Sequence, residues 1–176
     1  MIWPTGGRSP SKSASCRCGG SAKSSGAYAA SCRMNQDFLD LLRALSAHDV
    51  RFMIVGAYAL AVHGRPRATG DLDIWIDATP DNAARLIGAL QDFGAPMTSI
   101  SAADFSKPGI VFQMGLPPYR IDILTELTGI HFVEAWPHRV RGPFGELEAD
   151  YIGRDAFIRN KRATGRARDL GDIEAL

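Results

Sequence analysis

Hydrophobic and polar residues change their periodicity several times along the chain, and each change predicts a new element. Residues 34–48 repeat their apolar positions at the three- and four-residue spacing of an amphipathic helix. A short apolar run at residues 51–55 predicts a strand, and Gly56 leads from it directly into a second helix. Apolar and polar positions alternate in residues 70–77, which predicts a strand with Trp75 on its polar face.

The rest of the chain continues with helices and strands. Thr79 and Pro80 open a third helix, which ends at Gly94, and residues 95–109 are typical of a loop. Residues 110–114 and 119–124 predict a hairpin, and residues 139–141 and 146–149 predict a second, polar hairpin. Residues 154–163 and 169–176 predict two closing helices. We therefore expect an α/β or α+β fold in which helices cover a small mixed β-sheet.

The first 33 residues differ in composition from the rest. Residues 1–33 are rich in Ser, Gly and Ala, show little periodicity and carry five basic residues but no acidic one. Such a segment cannot bury enough apolar surface to offset its ordering entropy. We interpret it as a disordered tail or as the product of a start codon assigned too far upstream, and residues 34–176 as a single domain.

Charge and cysteine content narrow the function classes. The whole chain has a formal net charge of +1, so residues 34–176 carry +1 − 5 = −4. A slightly acidic body disfavours broad electrostatic binding to nucleic acid. All three cysteines lie before residue 34, so no disulfide framework holds the body, and no apolar run approaches the ~18 residues of a membrane span. We expect a cytoplasmic protein.

Three aspartates are the candidates for chemistry. Asp71 and Asp73 are about 7 Å apart along their strand, close enough to share a divalent cation. The alternative is the exposed face of an edge strand, which tolerates charge. Asp122 lies between two apolar residues of another predicted strand, where an ion pair with Arg120 would satisfy it. If the three carboxylates meet, they favour Mg²⁺ or Mn²⁺ and the displacement chemistry of two-metal sites.

The glycine between the first strand and the second helix is a candidate phosphate site. Gly56 allows close approach to the backbone, and the first N–H groups of a helix have no intrahelical partner. The alternative is a turn that is merely tight.

These residues together resemble a known family. Val55-Gly56-Ala57, a thirteen-residue spacer and Asp71-Leu72-Asp73 resemble the signature of the DNA polymerase beta-like nucleotidyltransferase superfamily. Ile121-Asp122-Ile123 resembles the strand that bears its third carboxylate. The form Arg67-Ala68-Thr69-Gly70-Asp71 and the closing Lys161 and Arg168-Asp169-Leu170 segment are similar to the bacterial minimal nucleotidyltransferases and the AbiEii-type toxins.

The resemblance implies a role for each matched residue. Asp71 and Asp73 would hold both metal ions, Mg²⁺ or Mn²⁺, and Asp122 would complete the site beside the attacking hydroxyl. The other matched residues would bind the nucleoside triphosphate: Gly56 and Ala57 through the backbone, Arg67 and Lys161 through charge, and Thr69 by ordering the loop. Arg67 could instead be an exposed loop charge, and Lys161 a helix-surface lysine. Ala57 departs from the family, which often has Gly or Ser there, and Tyr58 could compensate.

Three functions compete at this stage. The resemblance implies transfer of a nucleoside monophosphate to a hydroxyl of a tRNA end, a protein or a small molecule, with a toxin that has a cognate antitoxin as one specific version. The alternative is a catalytically inactive nucleotidyltransferase-fold module that binds and regulates a partner. A haloacid-dehalogenase-like phosphatase or a glycosyltransferase could also use an Asp-x-Asp pair. The phosphatase is disfavoured because a polar loop at residues 65–70, rather than an apolar strand, precedes the first Asp.

Overall fold

The computed structural model describes residues 35–97, 100–174 and 176. Residues 1–33, interpreted above as a tail, lie outside this range, so that interpretation and the single-domain boundary stay predictions. No helix in the described ranges is both long and apolar enough to cross a membrane.

Helices and strands follow in nearly the predicted order. The helices are α1 (Gln36–Ala47), α2 (Gly56–Val62), α3 (Pro80–Phe93), α4 (Ala102–Phe105), α5 (Phe132–Ala135), α6 (Arg154–Thr164) and α7 (Ala167–Glu174), with a 3₁₀ turn at Trp136–His138. The strands are β1 (Phe52–Ile54), β2 (Leu72–Ile76), β3 (Val111–Met114), β4 (Ile121–Leu124), β5 (Val140–Phe144) and β6 (Leu147–Tyr151).

The six strands form one mixed sheet in the order β3-β4-β2-β1-β6-β5. β2 pairs in parallel with β4, and β1 in parallel with β6, whereas the other neighbours are antiparallel. The predicted fold class, a small mixed sheet covered by helices, is confirmed.

β2 is the strand around which the core is built. Its apolar residues Leu72, Ile74 and Ile76 are fully buried among side chains of the helices. Trp75, which the alternation places on the polar face, is also buried, because Phe132 of α5 packs edge-on against its ring at 5.0 Å. Only the first part of β2, at Asp73, therefore keeps a partly exposed polar face.

Two predicted segments differ from the structure. The hairpin of β5 and β6 turns over Gly145 and Glu146 rather than over four residues, and only one of its faces is polar, since Phe144 and Tyr151 on the other face are buried. Residues 95–109 are not entirely loop, because α4 forms there behind a capping box of Ser101 and Asp104. In both cases burial against the rest of the fold outweighs the local composition.

Candidate active site

An open cleft of about 650 Å³ lies on the sheet face that carries the aspartates. Strands β2 to β4, the start of α2, the loop before β2 and helices α6 and α7 contribute to its wall. It is lined by all eight site residues predicted from the sequence: Gly56, Ala57, Arg67, Thr69, Asp71, Asp73, Asp122 and Lys161.

The three carboxylates converge through strand register. Asp73 lies directly opposite Asp122 in the parallel β2–β4 pair, so both side chains project from the same face of the sheet. Asp71 precedes β2 by one residue, and its backbone N–H donates to the Thr69 hydroxyl at 3.2 Å. The Thr69 hydroxyl therefore holds the loop that leads into Asp71. Asp71 and Asp73 lie at the start of β2 rather than after the end of a strand, and this again disfavours the phosphatase alternative.

The surroundings of Asp73 disfavour the ionised form of its carboxyl group. Burial is the largest cause that raises its pKa, to about 6, and repulsion by Asp122 and Asp71 raises it further. Lys161 and Arg120 act in the opposite direction without cancelling these effects. The ionised form of Asp73 is therefore disfavoured in the folded protein, and a bound cation would stabilise it.

Arg120 bridges the other two carboxylates. Its Nε donates to Asp122 at 2.7 Å, and its Nη2 donates to Asp122 at 3.0 Å and to Asp71 at 3.1 Å. Gln113 of β3 also donates to Asp122, at 3.2 Å. The ion pair considered from the sequence is therefore present. In the described ranges, no group of three His, Cys, Asp or Glu side chains is spaced to hold a metal ion.

Gly56 approaches Asp73 so closely that no side chain fits between them. Its φ is +63°, and a Cβ built on it would lie 2.0 Å from Asp73 Oδ2. The neighbouring Val55 N–H donates to the Asp73 carbonyl at 2.9 Å, which fixes the glycine turn to the carboxylate strand. Tyr58 is not among the cleft-lining residues, and its ring packs against Phe144, so the suggested compensation for Ala57 gains no support.

The two predicted phosphate-binding cations are engaged by α7. Arg67 Nε lies 3.3 Å from Asp172 Oδ1, and Lys161 Nζ forms ion pairs with Asp169 and, at 3.6 Å, with Asp172. Neither the exposed-loop nor the helix-surface alternative describes them, because both side chains are mostly buried within this network. Burial raises the pKa of Asp169, but hydrogen bonds from Lys161 and Thr164 outweigh it and hold that pKa below its usual value.

Arg166 and Arg168 also line the cleft, although the sequence did not mark them as site residues. They flank the start of α7, and both are exposed. The available signal was that Arg168 begins the matched Arg168-Asp169-Leu170 segment and that Arg166 precedes it, just after the helix-ending Gly165.

Comparison with known proteins adds little beyond this geometry. No protein-family profile matches the chain, and no curated protein matches it. A crystal structure from Thermotoga maritima, described as a "putative nucleotidyltransferase", superposes with a TM-score of 0.47 at 11% identity. The alignment covers 84% of this chain and 93% of that one. Similarity at this level carries no argument, so the function is inferred from the site itself.

Proposed function

We propose that the chain is a metal-dependent nucleotidyltransferase, which transfers a nucleoside monophosphate from a triphosphate to a hydroxyl group. One observation carries this proposal: Asp71, Asp73 and Asp122 converge on one sheet face directly beside Gly56. The cleft around them, about 650 Å³, is within the range of small-molecule sites. The carboxylates can bind a cation, and the neighbouring backbone N–H groups can bind a phosphate, so the two ligands would lie side by side.

The oxygen donors of the cluster suit Mg²⁺ or Mn²⁺, but Arg120 would have to leave Asp71 and Asp122 before they could bind an ion. Three carboxylates supply the hard oxygen ligands that these cations prefer, and burial together with the two neighbouring carboxylates raises the pKa of Asp73. Asp71, Asp73 and Asp122 would hold the metal. When bound, it would supply charge stabilisation for the α-phosphate and for the departing pyrophosphate.

The chain's own residues would arrange the displacement. The acceptor oxygen forms a bond to the α-phosphorus, the bond to the β-phosphate's bridging oxygen breaks, and the hydroxyl proton passes to a carboxylate of the cluster. Asp122 lies on the β4 side of the cleft and would hold the acceptor hydroxyl. The backbone at Gly56 and Ala57 borders the opposite side and would contact the phosphates.

Arg120 is expected to exchange with the metal. Because its guanidinium now neutralises Asp71 and Asp122, replacing it in Arg120→Gln should destabilise the metal-free protein. The variant should gain more thermal stability from Mg²⁺ than the native chain does, since the cation restores the missing charge.

Thermal unfolding with and without Mg²⁺ measures this gain. Arg51→Gln is the matched control, because Arg51 pairs with Asp77 at 2.9 Å and neither residue lines the cleft. An Arg120→Gln protein with the same Mg²⁺ response as the control would contradict the exchange.

The second candidate is a non-catalytic binding or regulatory module of the same fold. It is favoured by the Arg120 bridge across Asp71 and Asp122 and by Ala57 in the glycine motif. Within the leading proposal, the acceptor is an RNA end, a protein or a small molecule, and a toxin with a cognate antitoxin remains its most specific version.

Transfer of α-labelled nucleotides distinguishes the two candidates. Each of the four NTPs would be tested with Mg²⁺ and with Mn²⁺, using total tRNA and a whole-cell protein extract as acceptors. We expect label in one acceptor class. Nucleotide binding without label in any acceptor would instead support the binding module.

A further inference from the structure

Five cationic side chains line the cleft, but they are not equally available to a substrate. Three of them are already engaged: Arg120 by Asp71 and Asp122, Arg67 by Asp172, and Lys161 by Asp169 and Asp172. The side chains of the other two, Arg166 and Arg168, are exposed and make no hydrogen bond or ion pair with any described residue, although the charge of Arg166 helps to lower the pKa of Asp169.

Two cations and two carboxylates form what we call the α7 clamp, consisting of Arg67, Lys161, Asp169 and Asp172. The side chains of Lys161, Asp169 and Asp172 are only 12%, 10% and 8% exposed. Thr164 at the end of α6 adds a hydrogen bond to Asp169 at 2.8 Å. Asp169 and Asp172 are three residues apart, so both project from one face of α7. The clamp thus joins α6, α7 and the loop before β2.

Transferring the clamp cations to a substrate would be costly. If Lys161 turned to a phosphate, Asp169 and Asp172 would each lose an ion-pair partner while remaining mostly buried. Breaking a buried pair in this way is strongly destabilising, because it leaves a charge buried without a partner. Arg166 and Arg168 carry no such penalty, and a guanidinium can bind phosphate oxygens through two parallel N–H groups.

We propose that Arg166 and Arg168 bind the terminal phosphates of the triphosphate, and that Lys161 and Arg67 are positioning residues that hold α7 against the cleft. This inference rests on the proposed function, because it assumes a triphosphate whose α-phosphate lies at the carboxylates. It reverses the roles expected from the sequence, where Arg67 and Lys161 contact the phosphates themselves.

Binding of triphosphates tests the arginine pair. Dissociation constants would be measured for the four NTPs and for inorganic triphosphate, in Mg²⁺, with the native chain and with the Arg166→Ala/Arg168→Ala variant. We expect at least about tenfold weaker binding of every probe, inorganic triphosphate included, since the contacts are to phosphate. Arg162→Ala is the control, because Arg162 is exposed on α6 but does not line the cleft.

Asp172→Asn tests the positioning role, because the two interpretations predict opposite signs. If Arg67 and Lys161 contacted the phosphates, removing a neighbouring negative charge would release them and strengthen triphosphate binding. If the clamp holds α7 in place, the same change loosens the helix and weakens binding severalfold. Circular dichroism would establish that the variant is folded, and the arginine variant, whose side chains are exposed, tests the proposal by itself.

Each outcome has one meaning. Weaker binding in both the arginine variant and Asp172→Asn supports the inference. Native-like binding by the arginine variant, or tighter binding by Asp172→Asn, overturns the inference while the proposed function stands. A native chain that binds no triphosphate at all overturns both.

Discussion

Asp73→Asn is expected to abolish nucleotidyl transfer while making the metal-free protein more stable. Transfer should fall by at least about 10²–10³-fold, because the variant removes a central carboxylate of the cluster. Stability should rise at neutral pH, because burial and the neighbouring carboxylates raise the pKa of Asp73 from 3.8 to about 6. Raising this pKa from 3.8 to about 6 corresponds to roughly 3 kcal/mol of unfavourable free energy when Asp73 is ionised in the folded protein.

The sign of the pH dependence follows from this direction. A carboxyl group whose folded pKa is raised contributes stability that is fully present below pH 3.8 and is lost as the pH rises through about 6. Asp73→Asn should therefore exceed the native chain in stability at pH 7.5 and lose most of this advantage near pH 4.

Urea unfolding in EDTA at several pH values measures the difference between the two proteins. Asp81→Asn is a suitable control, because Asp81 is an exposed aspartate of α3 that does not line the cleft. A stability difference that does not change with pH would contradict the raised pKa of Asp73. Transfer within about tenfold of the native rate would contradict its catalytic role.

Gly56→Ala is expected to have the second-largest effect. The added Cβ would lie 2.0 Å from Oδ2 and 2.9 Å from Cγ of Asp73, so the carboxylate or the start of α2 must move. The φ of +63° adds the strain of an L-residue in the left-handed region, about 1–2 kcal/mol. We expect transfer to drop by about 10²-fold, because a displacement of about 1 Å at a reacting centre has effects of that size.

Gly94→Ala separates strain from the clash. Gly94, at the end of α3, also has a positive φ, +83°, but no atom lies within 4 Å of its added Cβ, and it does not line the cleft. It should lose about 1–2 kcal/mol of stability and keep its transfer activity. Equal losses of transfer in both variants would show that Gly56 serves only the turn and not the site.

The sequence predicts the position of the carboxylates better than their environment. The alternation around Asp71 and Asp73 marks a polar strand face, but the pairing of Asp73 with Asp122 depends on the register of two parallel strands far apart in the chain. No local pattern contains that register. The burial of Trp75 is equally non-local, because Phe132 covers it from a distant helix.

The ion-pair partners of Arg67 and Lys161 are also absent from the local sequence pattern. The sequence identifies Arg67 and Lys161 as positive charges near the site, but their partners Asp169 and Asp172 come from the last helix. The three-residue spacing of the two aspartates does predict that they share a helix face. Which cations that face meets depends on how α7 packs on α6, and this is decided by the tertiary structure.

Following the α- and the γ-phosphate of the same NTP in parallel reactions tests the proposed chemistry most directly. Native and Asp73→Asn proteins would be incubated with each label, a divalent metal and the acceptor. A nucleotidyltransferase places the α-label in the acceptor and releases the γ-label in pyrophosphate, and both events should require Asp73. Appearance of the γ-label in the acceptor, or labelling that is equal in the two proteins, would contradict nucleotidyl transfer at this site.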